Sequence, residues 1–463
     1  MIKKQIIFLA FTVSVTQWAI AAETNLGSIG QTQLQQDTGD AVQRTCIGFI
    51  ESGALPGTIP LFDTCSAMVL TANELLGLGS SDSSLGLSTD QLAAALQQIA
   101  TEEYAATESI ANEIAANRMD SVISRLHSLR GGARGFAISG IGHLGTESLI
   151  ADKYWNRANE SRGAGAGDEL LDNALSGFAT INFGTGDRDS TDSSDAFDFS
   201  NSRLTLGVDY RLDSNLVIGG AVNYSRIDTD FDKHSTVTGG NVDTDGWGGV
   251  LYGTYYRDQY YVDGLIGYAV SDYDIKREIS IPSNTGAPAI SNTAKASPES
   301  SDYTLSVGGG YALGQGPVSF GPYFRASYMR VDIDGYQEQG AETSGLNLSV
   351  TDQEWTSFTS VLGVEYAYTI SQQQSIIIPQ VRLGWVHQFE NDSSEITATY
   401  VNDPRNNRLS VLTDDPDRNY FELTLGISSV IQDGIQLFAN YDTLLGLDNL
   451  SDHQLTLGGR WEY

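Results

Sequence analysis

The sequence predicts a mainly β protein, in which a C-terminal 12-stranded antiparallel transmembrane β-barrel follows a small helical N-terminal region. Three observations support this fold class. From about residue 175 apolar and polar residues alternate with period two, the count of such segments is even, and short and long connections between them alternate strictly. All three are typical of barrels that cross the bacterial outer membrane. We divide the chain into a signal peptide (1–21), a small segment with both cysteines (22–87), a helical segment and linker (88–175), and the barrel (176–463).

The composition excludes several other classes of protein. The 463 residues include 26 Lys and Arg against 58 Asp and Glu, which gives a net charge of −32. Because a phosphate backbone repels such a chain, we expect no nucleic-acid partner. Beyond the first twenty-odd residues no long apolar run exists, which excludes a helical membrane protein. The mean hydropathy of −0.19 is compatible with a transmembrane barrel, since barrel strands alternate apolar and polar residues.

The N-terminus predicts export. Lys3 and Lys4 precede an apolar stretch over 6–20, and the small residues Ala19 and Ala21 mark a cleavage position after Ala21. An uncleaved anchor helix is the less favoured alternative, because the small-residue site is present and the apolar run is short. Export would carry the chain into an oxidising compartment.

The two cysteines, Cys46 and Cys65, are therefore expected to form a structural disulfide. A reactive or metal-binding thiol pair is the less favoured alternative, because no histidine lies near them and no CxxC spacing exists. Closing a loop of this length would stabilise a small core by about 3 kcal/mol.

The segment from Ser88 to about residue 130 has helical periodicity. Ser88 or Thr89 can cap the start, and Gly131 and Gly132 end the pattern. One straight helix of this length would measure roughly 60 Å. Two interpretations stay open: one or two helices in a small bundle, or a segment that threads a pore. The Gly-rich stretch over 135–167 is interpreted as a linker.

The barrel prediction depends on the alternation within each strand. Leu204, Leu206 and Val208 face one way, whereas Thr205 and Asp209 face the other, as in a wall between lipid and a hydrated lumen. The twelve predicted strands cover 176–185, 198–210, 216–227, 246–256, 260–275, 302–313, 318–334, 354–370, 376–390, 419–431, 435–442 and 452–463.

The connections predict the orientation of the barrel. Short turns and long external loops are the arrangement of outer-membrane barrels, so both ends of the barrel sequence are expected on the periplasmic side. The six long loops hold 21 acidic and 8 basic residues. The short connections are 211–215, 257–259, 314–317, 371–375 and 432–434, and the long ones are 186–196, 228–245, 276–301, 335–353, 391–418 and 443–451.

One of these long loops is a weak candidate for a calcium site. Asp228, Asp230 and Asp232 begin like a calcium-binding loop, but Lys233 stands where such loops need Gly, and Gly239 where they need Glu. A solvated, mobile loop is the favoured interpretation, and no metal or other cofactor is expected. Weak Ca²⁺ or Mg²⁺ bridging to lipopolysaccharide is the alternative hypothesis.

The barrel region resembles the autotransporter β-domain, the translocator of type V secretion. Six stretches carry the resemblance: FDFSNSRLTLGVDYRLDSNLVIGGAVNYSR (197–226), DTDGWGGVLYGTYY (243–256), YYVDGLIGYAVSDYD (260–274), FGPYFRASYMRVDIDGYQEQGA (320–341), YVNDP (400–404) and TDDPDRNYFEL (413–423). The terminal GGRWEY, with Trp461 and Tyr463, resembles the aromatic signature that such barrels present to the assembly machinery. The resemblance implies a twelve-stranded barrel, a helix in its pore and an N-terminal passenger.

The sequence does not predict an enzyme. Some members of the family carry a GDSL-type esterase, but in Gly167-Asp168-Glu169-Leu170 a Glu stands where the nucleophilic Ser would be. No G-x-S-x-G elbow occurs, and His127 and His143 are the only histidines before the barrel. No catalytic residue is therefore assigned.

Two functional hypotheses follow. The first is an outer-membrane barrel of a Gram-negative bacterium that translocates or displays the region 22–175. The second is a porin or anchor barrel whose N-terminal module is retained in the periplasm. Both imply the same partners, namely outer-membrane lipid, lipopolysaccharide and the export and barrel-assembly machinery. Neither indicates a ligand for the N-terminal region.

Overall fold

A computed structural model describes residues 25–100, 122–123, 125–126 and 175–462, apart from short gaps at 192–193, 195, 233–238, 258, 373–374, 391 and 432–434. The signal peptide, the linker over 135–167 and Tyr463 lie outside the described residues. So does 101–121, which the sequence analysis assigned to the long helical segment.

The described residues form nineteen β-strands in chain order. They are β1 Leu175–Arg188, β2 Phe197–Arg211, β3 Leu216–Phe231, β4 Gly240–Arg257, β5 Tyr260–Ile281, β6 Ile290–Ala296, β7 Glu299–Tyr311, β8 Leu313–Gln315, β9 Val318–Ile333, β10 Tyr336–Gln337, β11 Leu348–Val350, β12 Gln353–Tyr368, β13 Ile370–Ser371, β14 Ser375–Gln388, β15 Glu395–Tyr400, β16 Leu409–Leu412, β17 Asn419–Ile431, β18 Gln436–Leu445 and β19 Leu450–Glu462.

Twelve of these strands close into a ring. Going round it, β1, β2, β3, β4, β5, β7, β9, β12, β14, β17, β18 and β19 each pair antiparallel with the next strand. The ring closes where β19 pairs with β1, from Ser176 opposite Glu462 to Arg188 opposite Leu450. The predicted 12-stranded antiparallel barrel is confirmed.

The two faces of the ring differ in polarity as the alternation predicts. On β2, Leu206 and Val208 are exposed on the outer face, whereas Arg203, Thr205 and Asp209 are buried inside. An apolar outer face and a polar interior are what a strand needs between lipid and a lumen, and closure leaves no unpaired strand edge in lipid. The outer face of the barrel is therefore its lipid-contacting surface.

The long connections contain secondary structure that the sequence analysis did not predict. β5 continues to Ile281 and pairs with β6, and β10, β11, β15 and β16 form a separate four-stranded sheet. The predicted loops 276–301, 335–353 and 391–418 are thus partly strands. Their apolar alternation covers only a few residues each, as in Leu348–Val350, which is too short to be distinguished from a loop by period alone.

The N-terminal residues 25–100 form a helical module. It contains a short 3₁₀ helix at Leu26–Ile29 and the helices α1 Gln33–Ser52, α2 Pro60–Leu75 and α3 Thr89–Gln98. Of the two predicted caps, Ser88 and Thr89, it is Ser88 that caps α3, through a capping box with Gln91. Of the described residues, no helix is long and apolar enough to cross a bilayer.

Helices α1 and α2 were not predicted, although their ends carry clear signals. Thr32 and Gln35 form a capping box at the start of α1, and Gly53 ends that helix with a φ of 77°. Pro60 occupies the first turn of α2. The predicted disulfide between Cys46 and Cys65 joins the two helices and is confirmed.

Candidate functional site: a filled lumen and a seated module

A short helical piece of the chain lies inside the barrel. Val122, Ile123, Arg125 and Leu126 are helical and buried. The three apolar side chains belong to one cluster with inward-facing residues of β1, β3, β4 and β5, namely Phe178, Val217, Ala221, Val250, Tyr252 and Leu265. We call these four residues, 122, 123, 125 and 126, the plug segment.

The plug segment is anchored by a buried ion pair. The guanidinium of Arg125 pairs with the carboxylate of Asp209, and both side chains are fully or almost fully buried. Asp209 also accepts hydrogen bonds from Tyr252 and, at 3.2 Å, from Ser176 Oγ. The Arg125 guanidinium lies 4.9 Å from the ring centroid of Phe178, within cation–π range. Removing either member of such a pair would leave an uncompensated buried charge.

The plug contacts lie towards the short-turn end of the barrel. Asp209 is two residues from the end of β2, which is followed by the short turn to β3. Phe178 is three residues from the start of β1, and Val217 is the second residue of β3. The plug segment therefore occupies the half of the lumen that is furthest from the long loops.

The helical module lies at the opposite end of the barrel. Its buried residues, among them Leu61, Phe62 and Met68, form one continuous core with residues of the long loops, such as Leu348 and Tyr400. The same core includes inward-facing residues at the long-loop ends of the strands: Phe197, Phe199, Ile227, Phe231, Val242, Tyr273, Ile275, Met329, Val331 and Trp355. Burial raises the pKa of the Tyr400 phenol above its usual value.

A second buried ion pair fixes this end. Arg277 on β5 donates to both carboxylate oxygens of Glu338, at 3.0 and 2.7 Å, and both side chains are buried. The same guanidinium donates to the carbonyls of Gln98 and Leu346, at 3.2 and 3.0 Å. Glu338 also accepts from the amide of Leu348 at 2.8 Å. One arginine thus joins a barrel strand, a long loop and the end of α3.

A cavity of about 470 Å³ lies in the interior of the barrel. Its lining includes Tyr323, Arg325, Trp355, Arg382, Asp414 and Glu422. Tyr323 donates to Glu422 at 2.9 Å, and the Arg382 guanidinium lies 5.9 Å from the Tyr323 ring centroid. The lining is mixed, since apolar residues such as Met329 and Val361 alternate with these polar ones.

The calcium candidates do not form a loop site. Asp228 and Asp230 belong to β3 and point outward, and Asp232 directly follows the strand. Arg226 donates to Asp228 at 2.8 Å, so this carboxylate already has a cationic partner. Across the described ranges, no group of three or more His, Cys, Asp or Glu residues is placed to hold a metal ion. The calcium hypothesis stays an untested prediction.

The remaining assigned residues have clear positions. Cys46 and Cys65 are buried in the core of the helical module. Trp461 lies on the outer face of β19, and its indole covers Gly177 of β1, where a Cβ would stand 3.0 Å from the ring. Tyr463 lies outside the described residues.

Sequence reasoning missed both buried ion pairs. For Arg277 a signal existed, because it interrupts the alternating apolar residues Ile275, Ile279 and Ile281, all on the buried face. Asp209 gave no such signal, since its neighbours on the inner face are also polar or Gly.

A closed ring of twelve strands with an apolar outer surface defines an outer-membrane β-barrel. The model of the autotransporter β-domain family matches residues 177–442, more than half of the chain. The chain therefore belongs to the autotransporter β-domain family, as the resemblance implied. The barrels of this family are outer-membrane translocators that depend on export and assembly machinery, and this chain is an outer-membrane barrel of a Gram-negative bacterium.

Similar proteins share only part of their length with this chain. Esterase EstA of Pseudomonas aeruginosa is 23% identical over 274 residues, which is 57% of this chain and 39% of the esterase. Outer membrane protein A of Rickettsia rickettsii is 24% identical over 237 residues, which is 50% of this chain and 10% of that protein. This chain thus spans well under half the length of these relatives.

Two solved structures are similar in fold. The translocator domain of NalP from Neisseria meningitidis has a TM-score of 0.47 at 14% identity, covering 67% of this chain and 93% of that one. The β-domain of the Bordetella autotransporter BrkA has a TM-score of 0.44 at 20% identity, covering 63% of this chain and all of that one.

Proposed function

We propose that the barrel displays the helical module on the cell surface and holds the plug segment in its lumen. One observation carries the proposal: the module lies at the long-loop end, whereas the plug segment and the start of β1 lie at the short-turn end. In outer-membrane barrels the long loops face the outside and the short turns face the periplasm. The module is accordingly on the external side.

The order of these parts along the chain agrees with display. Ala100 is buried in the core that the module shares with the long loops, and Val122 is buried in the plug cluster near the short turns. The chain therefore changes ends of the barrel between these two residues. If a passenger has crossed the barrel and is still covalently joined to it, the chain must run from the long-loop end to the short-turn end before β1 begins.

Epitope insertion at two matched positions tests the orientation. One epitope is placed between Gly79 and Ser80, in the exposed connection between α2 and α3, and the other between Asp213 and Ser214, in a short turn. We expect antibody to bind the first epitope on intact cells and the second only after permeabilisation. Detection of the module epitope only in permeabilised cells would support the retained-module alternative and refute display.

We also propose that the chain displays its module without catalysing a reaction. EstA is an esterase, but the stretch 167–170 of this chain has Glu at the position of the GDSL nucleophile. Cells that display the protein should hydrolyse p-nitrophenyl butyrate no faster than cells with an empty vector. Hydrolysis above that background would refute this part of the proposal.

The side chains on the outer face of the barrel indicate which lipids it contacts. Its exposed apolar side chains suit acyl chains, and lipopolysaccharide is the lipid that we propose at the long-loop end. There the outer face carries Arg226, Lys276 and Arg330, each exposed and paired with a carboxylate. Trp461 and Tyr463 are proposed as the residues that present the C-terminal strand to the assembly machinery.

A further inference from the structure

We infer that the helical module and three long loops form one composite domain, which stays assembled without a covalent link when the chain between residues 100 and 122 is cut. The inference rests on the proposed display only for the side of the membrane on which the domain lies. It predicts that a severed module is retained by the barrel, because the barrel's own loops are its partner surface.

The shared core is the first argument. The module alone would expose the apolar side chains that now meet the loops, and the loops alone would expose Leu348, Tyr400 and Val411. A large exposed apolar surface marks an interface, and here the apolar residues of the long loops cover that of the module. Each part therefore completes the burial of the other.

The polar contacts are distributed over three loops. In the loop after β5, the amide of Asn284 donates to the carbonyl of Leu85 at 2.8 Å. In the loop after β9, the carbonyl of Ser344 accepts from Thr64 Oγ1 at 2.9 Å. In the loop after β14, Asp403 accepts from Thr45 Oγ1 at 3.0 Å.

Each of these three contacts is made by a different part of the module, namely the connection before α3, helix α2 and helix α1. The Arg277 guanidinium adds a fourth, at the end of α3. A module held at four separated points cannot rotate away about one of them. Release requires the simultaneous loss of all four contacts and of the shared core.

Glycine at position 345 gives a means to weaken this interface. A Cβ on Gly345 would lie 2.4 Å from the backbone nitrogen of Leu61 in α2, so a side chain there cannot fit without moving the module. Gly345 also has a φ of +75°. Gly316, in a short turn, has a φ of +62° and nothing within 4 Å, which makes it a matched control for backbone strain.

The experiment uses the full chain with a tobacco etch virus protease site, flanked by Gly-Ser spacers, inserted between residues 103 and 104. The protein is purified in detergent, cut and separated by gel filtration. Denaturing gels then identify cut molecules in each fraction, so that uncut chains are not scored. Heat-dependent gel mobility reports whether the barrel of each variant is folded.

We expect the barrel fraction to hold at least about tenfold more cut module than the free fraction, as for a complex well above its dissociation constant. Gly345→Val should lower this ratio at least about tenfold, since overpacking a close contact has an effect of that order. Gly316→Val should leave the ratio unchanged. Elution of the severed wild-type module as a free small protein would overturn the inference, and so would equal retention in Gly345→Val.

The test is independent of the membrane. In detergent no side is external, so release of the severed module would refute the composite domain without bearing on display. Conversely, a module epitope hidden on intact cells would refute display and leave the retention result standing.

Discussion

The buried pair of Arg277 and Glu338 makes the sharpest prediction about stability. Both side chains are buried, and five hydrogen bonds join this pair to Gln98, Leu346, Leu348 and each other. Glu338→Leu would leave the Arg277 charge in the core without its counter-ion. Loss of one member of a buried pair typically costs about 3–5 kcal/mol. We expect the composite domain to lose stability of that order.

A double-mutant cycle measures the energetic coupling between Arg277 and Glu338. Glu338→Leu, Arg277→Leu and the double variant are compared with the wild type by pulse proteolysis of the purified protein in graded urea. We expect the double variant to be less destabilised than the sum of the two singles by at least about 2 kcal/mol, because it removes both charges together. Additive effects, or a Glu338→Leu cost under about 1 kcal/mol, would refute the assignment.

Four further predictions concern other parts of the molecule. Arg125→Ala should weaken the binding of the plug segment to the barrel wall by about 3–5 kcal/mol, because it removes the cation that pairs with buried Asp209, and should raise conductance in planar bilayers. Reduction of the disulfide at Cys46 should cost the module about 2–5 kcal/mol, measured by pulse proteolysis. Because burial raises the pKa of the Tyr400 phenol, its contribution to stability should be complete below pH about 10 and be lost as the pH rises further, since the unfolded chain ionises first. Calcium or EDTA should leave the protease sensitivity of the loop between β3 and β4 unchanged.

Each of these predictions has a control and a contrary outcome. An Arg125→Ala barrel with wild-type conductance would show that the ion pair does not hold the plug segment. Reductant should not affect the double Cys→Ser variant, and an unchanged wild type would contradict the disulfide's role. Tyr400→Phe should weaken the alkaline dependence of the module's stability, and an unchanged dependence would assign the effect to other groups. Protection of the loop by calcium would revive the metal hypothesis.

The barrel could be predicted because the membrane imposes a rule on every strand. A strand between lipid and a lumen must alternate, and the alternation on β2 from Arg203 to Asp209 is visible without any knowledge of its neighbours. The ends of the strands were harder to predict from the sequence. β5 extends to Ile281 and β4 begins at Gly240, beyond the predicted bounds, because these extensions pack against the module and the loops, outside the lipid.

Helices α1 and α2 were missed, although α3 and the disulfide of the same module were predicted. The buried face of α1 combines apolar residues such as Leu34, Val42 and Phe49 with residues that are small or polar, namely Thr38, Gly39, Thr45 and Gly48. Their partners are distant in sequence: Thr45 donates to Asp403, and Gly48 lies against the Arg405 side chain. The burial of such small and polar residues depends on contacts across hundreds of residues, so the local sequence does not indicate it.

The inner face of the barrel at its long-loop end is apolar, which links the barrel to the helical module. The interior of an outer-membrane barrel is normally polar, yet Phe197, Phe231 and Trp355 face inward near the long loops and are almost fully buried. In a mouth open to water these rings would be exposed at a cost of about 1.5–3 kcal/mol each. They are covered by the core that the helical module shares with the loops. The module that covers these rings explains why they are apolar. The barrel strands thus carry residues whose burial depends on the helical module.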